Sequence, residues 1–251
     1  MNSDTQWMES IVARPDAATL VHDQVLALLV PDKPGLILDV PAGEGAFADR
    51  ARAAGIEVQC GDLDVSRFKV KGIECRQVDL NKRWPYSSEI FDGVVSIEAV
   101  EHLENPWHFA REANRVLRPG GKLLVTTPNV LSIRSRLSYL LYGYPNYFHY
   151  MIEQDPGTEN ERPVDHINPV GFLELRHVLA RNGLRVEQVC ANRLLKQRSV
   201  TYHLIRLLLR MRGHRHTQQD PAKARVRDLL LSDPILFGEI LIVKAVKTTS
   251  L

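Results

Sequence analysis

Long apolar runs are missing from this chain. No stretch approaches the ~20 consecutive apolar residues that cross a bilayer. The first ten residues, MNSDTQWMES, contain neither the basic nor the apolar segment of a secretory signal. A cytoplasmic location is the expectation. Cysteine is scarce: Cys60, Cys75 and Cys190 are scattered, without paired metal spacing. That excludes a disulfide-stapled scaffold and a zinc-ribbon module. Cys60 and Cys190 fall inside apolar alternations and read as buried, reduced thiols. An excess of one charge is also missing. Lys and Arg number 32 against 30 Asp and Glu, for a net charge of +2, so the balance does not call for nucleic acid as a partner. No Gly-Lys-Ser/Thr follows a glycine loop, which removes the P-loop NTPases. Internal repeats and low-complexity tracts are absent as well.

What is present is an alternation. Helical spacing covers 16–30 and stops at Pro31 and Pro34. GLILDV then reads as a strand buried on both faces. GAFADRARAAG reads as helix, IEVQCGDL and GIECRQVDL as strands. FDGVVSIEAV reads as a strand running into a helix, EHLENPWHFAREANRVLRPGG, and KLLVTTPN as the next strand. Further on, NPVGFLELRHVLARNG predicts a helix with Asn168 as N-cap and Gly183 as stop. LRVEQVCAN and ILFGEILIVKAVK predict the last two strands. Strands alternating with helices predict an α/β fold with a mostly parallel sheet and helices on both faces. The 251 residues are read as a single domain with two insertions, about 129–167 and about 193–233.

The first strand leads into LDVPAGEG. Gly43 to Ala48 fits the dinucleotide fingerprint G-x-G-x-x-G/A, and Asp62 lies nineteen residues after Gly43. Asp39, however, stands before the glycines. A pyrophosphate gains nothing from a carboxylate there, whereas an ammonium and a sulfonium do. The third strand ends in Val78-Asp79-Leu80, where an acid can accept from an adenine amino group. Pro41 removes one N–H and fixes φ near −65°, leaving close approach to Gly43 and Gly45.

The ordered series LDVPAGEG, CGDLD, VDLN, FDGVVSIEAVEHL, LRPGGKLLVTTPN, DHINPVGFLELRHVLARNGL and GEILIVKAVK resembles the class I S-adenosylmethionine-dependent methyltransferases over most of residues 36–247. Within that class it resembles the small-molecule and sugar type, such as the ubiquinone-biosynthesis O-methyltransferase group. The resemblance implies a Rossmann-like, doubly wound, seven-stranded sheet with an antiparallel C-terminal strand, and S-adenosylmethionine as cofactor. It implies that Asp39, Pro41, Gly43 and Gly45 form the cofactor loop, with Pro41 replacing the loop's first glycine. It also implies that Asp62 holds the ribose hydroxyls, Leu63 packs near the adenine, and Asp79 and Leu80 hold the adenine. Glu98 takes the position that faces the methionine end and the acceptor.

On the acceptor side stand Glu98, Glu101 and His102, which share a face if the segment is helical, together with His166. His102, Glu98 and His166 are the expected catalytic residues, as bases or polar contacts for a hydroxyl acceptor. The four side chains also suit a divalent cation. Similar E-x-x-E-H segments occur in ubiquinone-biosynthesis O-methyltransferases and small-RNA 3′-end methyltransferases that use metal, but also in many relatives without one. The expectation is no metal site. The tyrosines of YLLYGYPNYFHYM suit an acceptor pocket or a satellite apolar cluster equally.

RSVTYHLIRLLLRMRGHRH, residues 198–216, interleaves leucines and arginines. Packing on its own domain, an anionic membrane surface or nucleic acid could each use it. The function expected is methyl transfer to a small molecule, sugar or glycolipid, at oxygen. No Asn-Pro-Pro-Tyr-type tetrad of amide methylation follows the fourth strand. The alternatives are a metal-assisted RNA ribose methyltransferase and, because of Pro41, a non-catalytic binding module.

Overall fold

The computed structural model describes residues 21–148, 166–195, 200–217 and 221–248. Residues 16–20 of the first predicted helix and the DPGTENERP stretch lie outside them. In chain order the elements are α1 (Val21–Leu29), β1 (Leu36–Asp39), α2 (Ala46–Ala53), β2 (Glu57–Asp62), β3 (Cys75–Gln77) and β4 (Phe91–Ser96). Then come α3 (Pro106–Val116), β5 (Leu117–Pro128), α4 (Ile133–Tyr142), α5 (Phe172–Arg181) and β6 (Leu184–Ala191). The chain continues through α6 (Val200–Thr217), α7 (Pro221–Leu230), α8 (Asp233–Phe237) and β7 (Ile240–Lys247).

The seven strands form one sheet in the order β3-β2-β1-β4-β5-β7-β6. β1 to β5 are parallel, and β7 runs antiparallel between β5 and β6. The expected mixed sheet is therefore present. Alternation of side chains along buried strands builds a core on each face. Leu38, Val94 and Leu123 point toward Phe109, Ala113, Phe172 and Leu175 of α3 and α5. Their strand neighbours Ile37, Val95 and Leu124 meet Val25, Leu29, Phe47 and Ala51 of α1 and α2. Each such Val, Leu, Ile or Phe side chain contributes about 1.5–3 kcal/mol by leaving water. Cys60 and Cys190 are buried and unbridged, as their apolar settings predicted.

Several boundaries differ from the sequence expectation. The helix expected over 101–121 spans only Pro106–Val116, and Leu117–Gly121 already belong to β5. β3 stops at Gln77, so Val78, Asp79 and Leu80 lie just past it. Asn168 is not the cap of α5, which starts after Gly171. The Asn168 amide donates instead to the Leu103 carbonyl, and its backbone N–H to that of Glu101. Finally, Ile235, Leu236 and Phe237 are helical rather than extended. Pro234, in the first turn, is pre-set for a helix, and the three apolar side chains fill a satellite core with Ile133 and Leu231. Helices α4, α6 and α8 meet in that core.

Candidate active site

After β3 the chain crosses from one side of β1 to the other, making β4. The carboxyl ends of β1 and β4 therefore flank the switch point, where open α/β sheets bind ligands. The loop after β1 is strapped down on both sides. The Val40 N–H donates to the Val95 carbonyl and the Ala42 N–H to that of Gly61, both at 2.9 Å. Pro41, after a cis peptide bond, stands between these two used donors. Its missing N–H leaves no hydrogen bond of the strap unmade.

Gly43 and Gly45 have φ of +54° and +92°, the left-handed region that glycine enters without steric cost. A Cβ on Gly45 would lie 2.4 Å from Val70 Cγ2, so packing alone requires that glycine. A Cβ on Gly43 would meet nothing within 4 Å. That open side is the kind of cradle that lets a ligand approach the backbone. Asp62, at the end of β2, accepts from the Gly43 N–H at 2.7 Å with one oxygen and from Asp64 N–H at 3.0 Å with the other. Each oxygen keeps a second lone pair for a ligand hydroxyl. Leu63, next to it, is 63% exposed, an open apolar face beside the cradle. Asp79 is less free, because Lys82 pairs with it at 2.9 Å and Asn81 N–H donates to it at 3.0 Å. These contacts hold its carboxyl below the usual range. Leu80 points into the core.

Asp39 is buried, and its Oδ2 has no hydrogen-bond partner among the described residues. Burial pushes its carboxyl up to about 8, with the nearby Asp62 adding to the rise and a hydrogen bond from Ala48 opposing it. An arriving cation would favour the ionised form. A buried carboxyl with one unpartnered oxygen, an open glycine and an exposed leucine together fit S-adenosylmethionine, which carries an ammonium, a sulfonium, a ribose and an adenine.

Glu98, Glu101 and His102 do not share a helical face. Glu98 is itself left-handed at φ +49°, and Val100–His102 form a single 3-10 turn. Pro106, with Asn105 capping, defers the α-helix. Thr126 at the end of β5 grips Glu98 twice. Its hydroxyl accepts from the Glu98 N–H at 2.9 Å and donates to the carboxylate at 2.8 Å. Burial, opposed by that bond and aided by the charge of Glu239, raises Glu98 to about 7. Glu101 is fully buried, and among the described residues neither of its carboxylate oxygens has a hydrogen-bond partner of good geometry. Its carboxyl rises to about 8 through burial and then through the charge of Glu98.

His166 returns to this place because the Ile167 and Asn168 N–H groups both donate to the Glu101 carbonyl, at 3.0 and 2.9 Å. The His102 and His166 rings meet edge to face with centroids 4.9 Å apart. His166 Nδ1 lies 2.9 Å from the Tyr147 carbonyl. A carbonyl only accepts, so Nδ1 carries the proton and Nε2 is the basic nitrogen of the neutral ring. Glu101, His102 and His166 each bring one ligand atom to within 4.8 Å of the others, a convergence that spacing alone did not reveal.

Sequence reasoning missed Thr126, Arg193 and Glu239; Tyr147 belongs to the tyrosine-rich stretch it did single out. Glu239 receives a hydrogen bond from Tyr147 Oη at 2.7 Å and a two-pronged ion pair from Arg193. The signal for Glu239 is an acid just before an apolar strand. β7 is antiparallel, with Ile240 opposite Pro128, so its start lies at the carboxyl edge of β5.

The family described as a methyltransferase domain matches residues 14–189. The mitochondrial ubiquinone biosynthesis O-methyltransferase of Rattus norvegicus is 33% identical over 165 residues, 61% of this chain and 45% of that protein. The 27-O-demethylrifamycin SV methyltransferase of Amycolatopsis mediterranei is 29% identical over 129 residues, 47% of each chain. The chain thus spans about half the length of the curated relatives it matches. Among solved structures, an S-adenosylmethionine-dependent methyltransferase from Archaeoglobus fulgidus superposes with a TM-score of 0.55 at 19% identity, covering 90% of this chain and 94% of that one. One from Mesorhizobium loti gives 0.53 at 19%, covering 89% and 96%. At such identities the likeness shows the fold.

Proposed function

Because the chain belongs to the methyltransferase-domain family, whose members use S-adenosylmethionine, we propose that it methylates an oxygen of a small-molecule acceptor. The observation that carries this reading is the crowding of proton acceptors just past β4. Glu98, Glu101, His102 and His166 gather beside the cofactor loop's edge of the sheet. S-adenosylmethionine supplies a methyl group already activated on a sulfonium. The chain's own part is to align the acceptor, exclude water and take its proton. Glu98 suits the role of base, because burial raises its carboxyl above the usual carboxylate range and so makes it a better proton acceptor. Thr126 fixes its direction. Asp39, Gly43, Gly45, Asp62 and Leu63 hold the cofactor in this proposal, with Asp79 and Leu80 bordering the adenine.

The test is methyl transfer from methyl-labelled S-adenosylmethionine to phenolic and sugar hydroxyl acceptors, with the product's methyl located by NMR. An O-methyl product is expected. Methylation confined to nitrogen or carbon would overturn the reading.

The convergence of Glu101, His102 and His166 supports a second reading, in which a divalent cation sits among them and binds the acceptor oxygen. Two imidazoles and one carboxylate form a set known from transition-metal sites. Titration with Co2+ is then expected to produce visible absorption bands that His166→Ala abolishes. Absence of such bands in the folded protein would remove the metal and leave Glu98 as sole activator.

A further inference from the structure

Helix α6 is apolar on two faces, and only one is covered. Tyr202, Ile205 and Leu209 pack on the satellite core, and Arg206 pairs with Asp233 of α8. On the other side Val200, Leu204, Leu207, Leu208 and Met211 recur at i, i+4, i+7, i+8 and i+11, the spacing of one helix face. All five are more than half exposed. Helix α4, whose first turn enters the same satellite core through Ile133, ends in exposed Tyr139, Leu140, Leu141 and Tyr142. Solitary exposed leucines need no explanation, but a full stripe along one helix face does.

Charge narrows what covers it. Between residues 200 and 230, the span of α6 and α7, stand seven Lys and Arg against two acids, Asp220 and Asp228, in a chain whose total is only +2; Arg206 and Arg227 are paired with Asp233 and Asp228. Helix α6 itself has four arginines and no acid. A second copy of this chain meeting face to face would set this positive charge against itself. We propose that the α6 face is a docking surface for anionic phospholipid membranes. Its leucines enter the headgroup boundary while the basic residues of this stretch other than Arg206 meet lipid phosphates. Tyrosines at the end of α4 suit the same apolar-to-wet boundary. The described residues include no helix long and apolar enough to cross a membrane, so the contact is peripheral.

Co-sedimentation of the full chain with vesicles tests this. Vesicles of phosphatidylcholine mixed with phosphatidylglycerol should carry the protein down, and pure phosphatidylcholine vesicles should not. Binding should weaken steeply as salt rises to about 0.5 M. The triple variant Leu204→Ser/Leu207→Ser/Leu208→Ser should lose at least about tenfold in vesicle affinity, with its S-adenosylmethionine affinity and melting temperature retained. No binding by the unaltered chain, equal binding to neutral vesicles, or full binding by the folded variant would each overturn the proposal. So would light scattering that shows a dimer which the triple variant turns into a monomer, since the stripe would then be a contact between copies.

Discussion

Glu98→Gln is expected to lower kcat by about 10²–10⁴-fold. The amide keeps the side chain's size and can still meet the Thr126 hydroxyl, but it cannot take a proton. S-adenosylmethionine affinity should change far less than turnover. The pH profile gives a second readout. A base that must be ionised produces activity that rises with pH through its titration, here near 7. That acidic limb should disappear in Glu98→Gln. Stability should move the other way. The folded carboxyl titrates above its usual value, so the folded state binds more protons, and stability falls as pH rises from about 4.5 to 7. Glu98→Gln should therefore melt higher than the unaltered protein at pH 8, with the gain shrinking toward pH 5. Unchanged kcat with an intact acidic limb would remove Glu98 as the base.

Asp62→Ala is expected to weaken S-adenosylmethionine and S-adenosylhomocysteine binding by about 1.5–3 kcal/mol, the worth of charge-assisted hydrogen bonds to ribose hydroxyls. Two losses combine in it: the contacts to the ligand, and the 2.7 Å bond that orients Gly43. Asp62→Asn, which can still present an oxygen to the Gly43 N–H, should fall between. Calorimetric titration measures both, with NADH as a control that should not bind. Equal affinity in Asp62→Ala and the unaltered protein would withdraw the ribose assignment.

How far the sequence carried this reading varies with the range of the interactions. The strands around Ile37, Val95 and Leu124 announce themselves, because a strand buried on both faces must be apolar throughout. The glycine loop is equally local: two glycines, an acid before them and an acid nineteen residues on. Contacts between distant elements were not legible. Nothing near Glu98 indicates that Thr126 will hold it, although Thr126 and Thr127, ending an apolar strand, are a polar pair that asks for a partner. The approach of His166 to Glu101 depends on two backbone bonds formed across some 65 residues. The failure at 98–102 had a local cause that was visible: Asn105-Pro106 marks where the helix begins. Ile235–Phe237 deceived because an apolar triplet has no period, and only the preceding proline separated helix from strand.

The order of strands carries a consequence for how the molecule is made. β7 is the last of the seven to emerge during synthesis, yet it sits between β5 and β6. Until it arrives, β6 has no partner in the sheet and β5 presents a bare row of N–H and C=O groups along seven residues, Lys122 to Pro128. Such edges recruit other strands. The nascent chain passes through a stage in which its aggregation hazard is greatest while most of its core already exists. Glu239, directly before β7, arrives with that final strand. Closing the sheet and bringing in the charge that acts on Glu98 are thus one event in the folding of this protein.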